Sequence, residues 1–87
     1  MYYEINIAFN GKHFFATHKR SITDSETFVK VFAILNKKFP EREGYSLTAA
    51  YNPENSREAS RSAILKYINA GEPYKLFELF ENNNPSK

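Results

Sequence analysis

The chain contains no cysteine, which excludes a disulfide framework, a thiolate zinc site and a cysteine nucleophile together. Its three glycines are too few for a phosphate-cradling loop, and each falls where a turn or a helix end needs one. Nowhere do about 18 apolar residues run together, so no membrane-spanning helix is expected. The start, Met1-Tyr2-Tyr3-Glu4, has neither a basic segment nor a continuous apolar run, so no targeting peptide is expected either. A formal net charge of +2 is too small to argue for nucleic acid by itself. These absences together fit a cytoplasmic protein.

What is present fits one small domain. With 87 residues, folding buries only about 60% of the surface that the unfolded chain exposes, so the core is thin. The 8 Phe and 6 Tyr compensate, since each aromatic side chain buries ~150–250 Å². A single globular domain over residues 1–81 is expected, followed by a disordered polar tail over 82–87.

Tyr3, Ile5, Ile7 and Phe9 alternate with Tyr2, Glu4, Asn6 and Ala8, the period of a half-buried strand. Asn10-Gly11 follows at once, then a β-prone run from His13 onward. Asn-Gly between two such runs predicts a hairpin, because a type I′ turn needs positive φ at both central residues. A regular register then sets Phe9 against Lys12, Ile7 against Phe14, Ile5 against Ala16 and Tyr3 against His18. Phe14 and Ala16 join the core face, while His13, Phe15, Thr17 and Lys19 share the opposite face with Tyr2.

Thr23-Asp24-Ser25-Glu26 has capping-box spacing, with Thr23 as N-cap. Phe28, Val31, Phe32, Leu35 and Phe39 then make one apolar helix stripe, stopped by Pro40. Tyr45, Leu47, Ala49 and Tyr51 alternate as a third strand. Asn55 or Ser56 would cap a second helix over residues 57–70, with Ile64, Leu65 and Ile68 on its buried side and Gly71 closing it. Pro73 would open a short third helix with Tyr74, Phe77 and Phe80 inward. The expectation is an α+β fold of order ββαβαα: a three-stranded antiparallel sheet with helices packed on one face.

Enzyme chemistry finds no support. His13 and His18 project to opposite faces of their strand, Asp24 and Glu26 belong to a helix start, and no nucleophile elbow or metal-ligand spacing occurs. The chain is expected not to be an enzyme and to need no metal or cofactor. Two binding constellations remain. Tyr2, His13 and Phe15 would stand on the uncovered sheet face, either as a base-stacking platform or as a contact for a partner or a second copy. Arg57 and Arg61, one turn apart at a helix start among several serines, would form an anion site. Lys12, Lys19, Arg20, Lys30, Lys37 and Lys38 would strengthen it if they gather on one side. Residues 1–40 do hold six basic residues against three acidic ones.

In its length, its lack of cysteine, its wealth of Asn, Lys, Phe and Tyr, and its segments Asn10-Gly11-Lys12-His13-Phe14-Phe15 and Phe39-Pro40-Glu41-Arg42-Glu43-Gly44-Tyr45, the chain resembles the small accessory proteins of tailed bacteriophages. The resemblance covers residues 2–51. It implies a non-enzymatic host-takeover or anti-defence protein in the host cytoplasm, such as an anti-CRISPR protein or an inhibitor of another defence system. Its partner would be a host protein or a protein–RNA complex. The mildly basic charge speaks against plain mimicry of DNA. A stand-alone RNA-binding module and a structural homodimer are the alternatives.

Overall fold

Asn10 and Gly11 take φ values of 50° and 85°, and across them β1 (Tyr3–Phe9) turns directly into β2 (Lys12–Ala16). Positive φ at both central residues is the two-residue hairpin geometry that Asn-Gly favours. The computed structural model describes residues 2–51, 58–72 and 75–81.

The hairpin register departs from the regular one after two pairs. Phe9 opposes Lys12 and Ala8 opposes His13, but Ile7 then opposes Phe15 and Asn6 opposes Ala16. One residue of β2, Phe14, is left over as a β-bulge. A regular ladder would have sent Phe15 to the open face. The bulge turns both rings towards the helix side, where both meet Phe39. Bulges re-aim side chains in this way at sheet edges.

His18 does not oppose Tyr3 either. β2 is tied off at Thr17, whose N–H donates to the Ile5 carbonyl at 3.0 Å and whose Oγ1 accepts from the Ile5 N–H at 3.0 Å. The chain then turns, with the Ser21 N–H and hydroxyl both donating to the His18 carbonyl. It returns so that Tyr3 bridges Ile22 instead.

β3 (Tyr45–Tyr51) runs antiparallel to β1, from Phe9↔Tyr45 to Tyr3↔Tyr51. Beyond it lies a strand that the helical reading of residues 57–70 concealed. β4 (Ala59–Ser60) pairs with β3 through Thr48↔Ser60 and Ala49↔Ala59. The sheet therefore has four strands in the order β2-β1-β3-β4, not three. The element order is ββαββα through α2, not ββαβαα. The free edge of β3 offers these two residues backbone partners that a first helical turn could not.

α1 (Ser25–Lys38) starts one residue later than the capping box predicts. Its N-cap is Asp24, which accepts from the Thr27 N–H and the Thr27 hydroxyl, both at 2.9 Å. A carboxylate takes both bonds and also faces the positive end of the helix dipole, which a Thr23 hydroxyl matches less well. Phe28 and Phe32 are fully buried, and Val31, Leu35 and Phe39 pack beside them. A single 3₁₀ turn, Glu41–Glu43, leads into β3.

α2 (Arg61–Asn69) is capped by Ser60. It ends in a Schellman arrangement, with Gly71 at φ 76°, the Gly71 N–H on the Ile68 carbonyl and the Glu72 N–H on the Tyr67 carbonyl. Left-handed geometry at this position is why glycine stands there. The short α3 (Leu76–Glu81) buries Leu76 and Phe80. The expected caps Asn55 and Ser56, the residues Pro73 and Tyr74, the side chain of Phe77 and the 82–87 tail lie outside the described residues.

One core joins these elements. Tyr3, Ile5, Ile7, Leu47 and Ala49 from the sheet meet Phe28 and Phe32 of α1, Ile64 of α2, and Leu76 and Phe80 of α3. Tyr3 is its hub, stacked on Phe28 with ring centroids 4.7 Å apart and edge-on to Phe80 at 6.1 Å. Burial first, then the neighbouring Tyr51 and Asp24, pushes its phenol pKa upward. Among the described residues no helix is long and apolar enough to cross a membrane.

Candidate binding site

The hairpin turn, the C-terminal end of α1 and the start of β3 converge at one end of the molecule, and there the chain assembles five aromatic rings. Phe9 meets Tyr45 across the ladder at 4.8 Å. Phe39, just past α1, meets Tyr45 at 5.0 Å and Phe15 at 5.6 Å. Phe14, on the bulge, lies 5.5 Å from Phe15 and 5.9 Å from both Phe39 and Tyr45. Phe15 and Phe39 anchor this apex to the core, while Phe14 is 52% exposed and Phe9 39% exposed. Two large rings left this open, both packed on Tyr45, are what an interaction surface offers.

Lysines stand beside the rings. Lys12 opposes Phe9 in the register, so the two side chains project from the same face about 5 Å apart at Cβ. Lys37 and Lys38 occupy the last turn of α1, immediately before Phe39. Their charge also suits the negative end of the helix dipole.

The remaining basic residues do not join them. Lys19 and Arg20 sit in the turn that leads to Ile22 and the start of α1, with Arg20 at φ 64°. That is the far end of β1, whose seven residues at about 3.4 Å each put it roughly 20 Å away. Lys30 is exposed midway along α1. Arg57 lies outside the described residues, and residues 59–60 are strand, so no helical turn joins it to Arg61.

Arg61 is engaged in holding the fold. Its guanidinium donates to Asn36 Oδ1 at 2.9 Å and to the Tyr45 carbonyl at 2.8 Å, with a longer contact to the Asn36 carbonyl at 3.5 Å. It thereby ties α2 to the end of α1 and the start of β3. Partial burial lowers its pKa, against the opposing pull of Glu41. Glu41 and Arg61 also line an open cleft of about 230 Å³ with Ser46, Thr48 and Ser60.

The uncovered sheet face differs from the expected aromatic platform. Phe15 is on the other side of the sheet. Tyr2 is half-buried just before β1. His13 is exposed and borders a hollow of about 300 Å³ with Asn6, Ala8, Ser46, Thr48 and Glu58. Asn6 Nδ2 donates to Glu58 Oε2 there at 3.4 Å. This face is polar. Among the described residues no three His, Asp or Glu side chains come together as a metal site requires.

Sequence reasoning missed Phe14, assigned to the core, and the rings Phe9, Phe39 and Tyr45 as surface elements. One signal was available: a regular strand cannot bury two consecutive phenylalanines on the same face, so Phe14-Phe15 in a five-residue edge strand must expose one ring or break the alternation. No protein-family model, curated protein or solved structure matches this chain.

Proposed function

We propose that this chain is a small non-enzymatic binding protein, a phage-encoded antagonist that blocks a host defence or regulatory factor in the host cytoplasm by covering part of its surface. The exposed ring of Phe14 on the β2 bulge carries this reading. A strand that hides one phenylalanine and holds the next at the rim has spent its irregularity on presentation, and bulges concentrate beside functional surfaces. Covering the open half of Phe14, on the order of 100 Å², at about 25 cal/mol per Å² is worth roughly 2.5 kcal/mol to a complex. Phe9, packed on the same Tyr45 and also partly open, adds to this. Aromatic anchors of this kind dominate protein–protein contacts.

A protein target is favoured over RNA by how the rings meet. Phe14 contacts Phe15, Phe39 and Tyr45 at interplanar angles of 59–64°, which makes a corrugated knob. Base stacking uses flat, open ring faces.

The test is an affinity capture from bacterial lysate with wild-type protein and Phe14→Ser, each with and without ribonuclease. A protein retained after ribonuclease and lost with Phe14→Ser supports the proposal. Loss of all partners with the RNA would make RNA the ligand. Retention by Phe14→Ser would move the contact away from the apex.

A further inference from the structure

We infer that the apex receives an acidic segment of its partner, one in which a bulky apolar side chain is flanked by carboxylates. This rests on the reading of the apex as a binding surface and adds the chemistry of what it binds. Lys12 shares a face with Phe9 through their direct pairing. Lys38 precedes Phe39, whose ring meets that of Phe14. The rings thus have Lys12 of β2 opposite Phe9 and Lys38 one residue before Phe39 at the end of α1. Among the described residues the one ion pair is Lys75–Glu72, at 3.7 Å, so Lys12, Lys37 and Lys38 have no carboxylate partner there.

The acidic residues nearest Lys37 and Lys38 in sequence are Glu41 and Glu43, in the 3₁₀ turn around Arg42. Glu41 lines the cleft that Arg61 and Ser60 border, on the side of β3 and β4. With no carboxylate partner among the described residues, Lys12, Lys37 and Lys38 are left to act outward. An apolar knob with cationic neighbours matches an apolar anchor flanked by carboxylates, and such border charges steer encounter and fix orientation.

The experiment selects binders to the intact chain from a random-sequence displayed peptide library. The enriched peptides are synthesised with their acidic residues intact and with each replaced by Gln or Asn. Binding is read by fluorescence anisotropy against wild type, Phe14→Ser and the double variant Lys12→Glu/Lys38→Glu, each checked for folding by circular dichroism. The expected result is enrichment of Asp or Glu beside Leu, Phe or Trp. Affinity should fall about tenfold or more on removing the peptide carboxylates or reversing the two lysines, and should weaken with added salt.

Peptides that need Phe14 but show no acidic bias would overturn the acidic-segment inference while leaving the apex as a binding surface. Peptides indifferent to Phe14→Ser, or no enriched peptide, would overturn it by removing the apex as a peptide site. Sedimentation velocity adds two further outcomes, both contrary. These are a mass doubling abolished by Phe14→Ser, which would seat a second copy on the apex, and a Phe14-dependent complex with single-stranded oligouridine.

Discussion

Asn10 and Gly44 hold the hairpin turn against the start of β3: the Asn10 N–H donates to the Gly44 carbonyl at 2.8 Å. This bond extends the β1–β3 pairing one step beyond Phe9↔Tyr45. It joins two positive-φ positions, Asn10 at 50° and Gly44 at 98°, so the two bends that form the apex support each other. A β-carbon on Gly44 would lie 2.6 Å from Asn10 Oδ1 and 3.3 Å from Phe9 Cε1.

Gly44→Ala is therefore expected to destabilise the protein by about 1–3 kcal/mol, mainly through the backbone strain of a side chain at this φ. The Asn10 carboxamide must also rotate away and the Phe9 ring give slightly. A lowered urea midpoint with an unchanged slope would bear this out, and a midpoint equal to wild type would refute it.

Arg61→Lys keeps the charge and loses the geometry. A single ammonium group cannot reproduce the planar fork that reaches both Asn36 Oδ1 and the Tyr45 carbonyl. The expected loss is about 1.5–3 kcal/mol, the scale of hydrogen bonds to a charged donor. Urea unfolding measures it, and an unaltered midpoint would show that Arg61 does not tie α2 to α1 and β3.

The Asp24 cap makes stability depend on acid. Its carboxylate pKa is held below the ordinary value by the Thr27 N–H first and the Thr27 hydroxyl next, with a smaller pull from Lys30. A depressed folded-state pKa contributes stability that is present above the unfolded-state value and is lost as pH falls through the folded-state value. Asp24→Asn keeps an acceptor but cannot titrate. Between about pH 5 and pH 2 the wild-type urea midpoint should fall more steeply than that of Asp24→Asn. Parallel curves would remove Asp24 as a source of acid sensitivity.

Adjacent phenylalanines should give opposite outcomes. Phe15 packs against the core and Phe39, so Phe15→Ala should cost about 2 kcal/mol or more. Phe14→Ala, at a position already half in water, should cost less, about 1–2 kcal/mol, because only its inner half packs on the neighbouring rings. Partner capture should show the reverse, with Phe14→Ala impairing it in a folded protein. Equal destabilisation by the two would mean that the bulge does not divide their roles.

Local chemistry made much of this fold legible. The Asn10-Gly11 turn, the β3 span, the α1 stripe and the Gly71 helix end each follow from residues close in sequence whose conformational preferences agree. The misses, the α1 cap apart, share one cause: each was decided by a distant part of the chain. Phe14 and Phe15 are chemically identical, and which ring goes to the rim depends on where the bulge falls and on the core that receives Phe15. Ala59 and Ser60 follow a helical pattern until the free edge of β3 is there to pair with. Arg61 reads as an anion ligand until Asn36 and the Tyr45 carbonyl occupy its fork. Asp24 and Thr23 are both sound caps, and the two bonds from Thr27 decide between them. The candidate site was the least legible part, because its five rings come from four separate stretches of chain.

The bulge in β2 has a consequence for how this protein can change. Because Phe15 packs against the core while Phe14 rests on the rim, residue 14 is a slot whose occupant can be exchanged at less cost to the rest than its neighbour's. A surface meant to follow an altering target needs such a slot, where recognition can drift while the scaffold stays put.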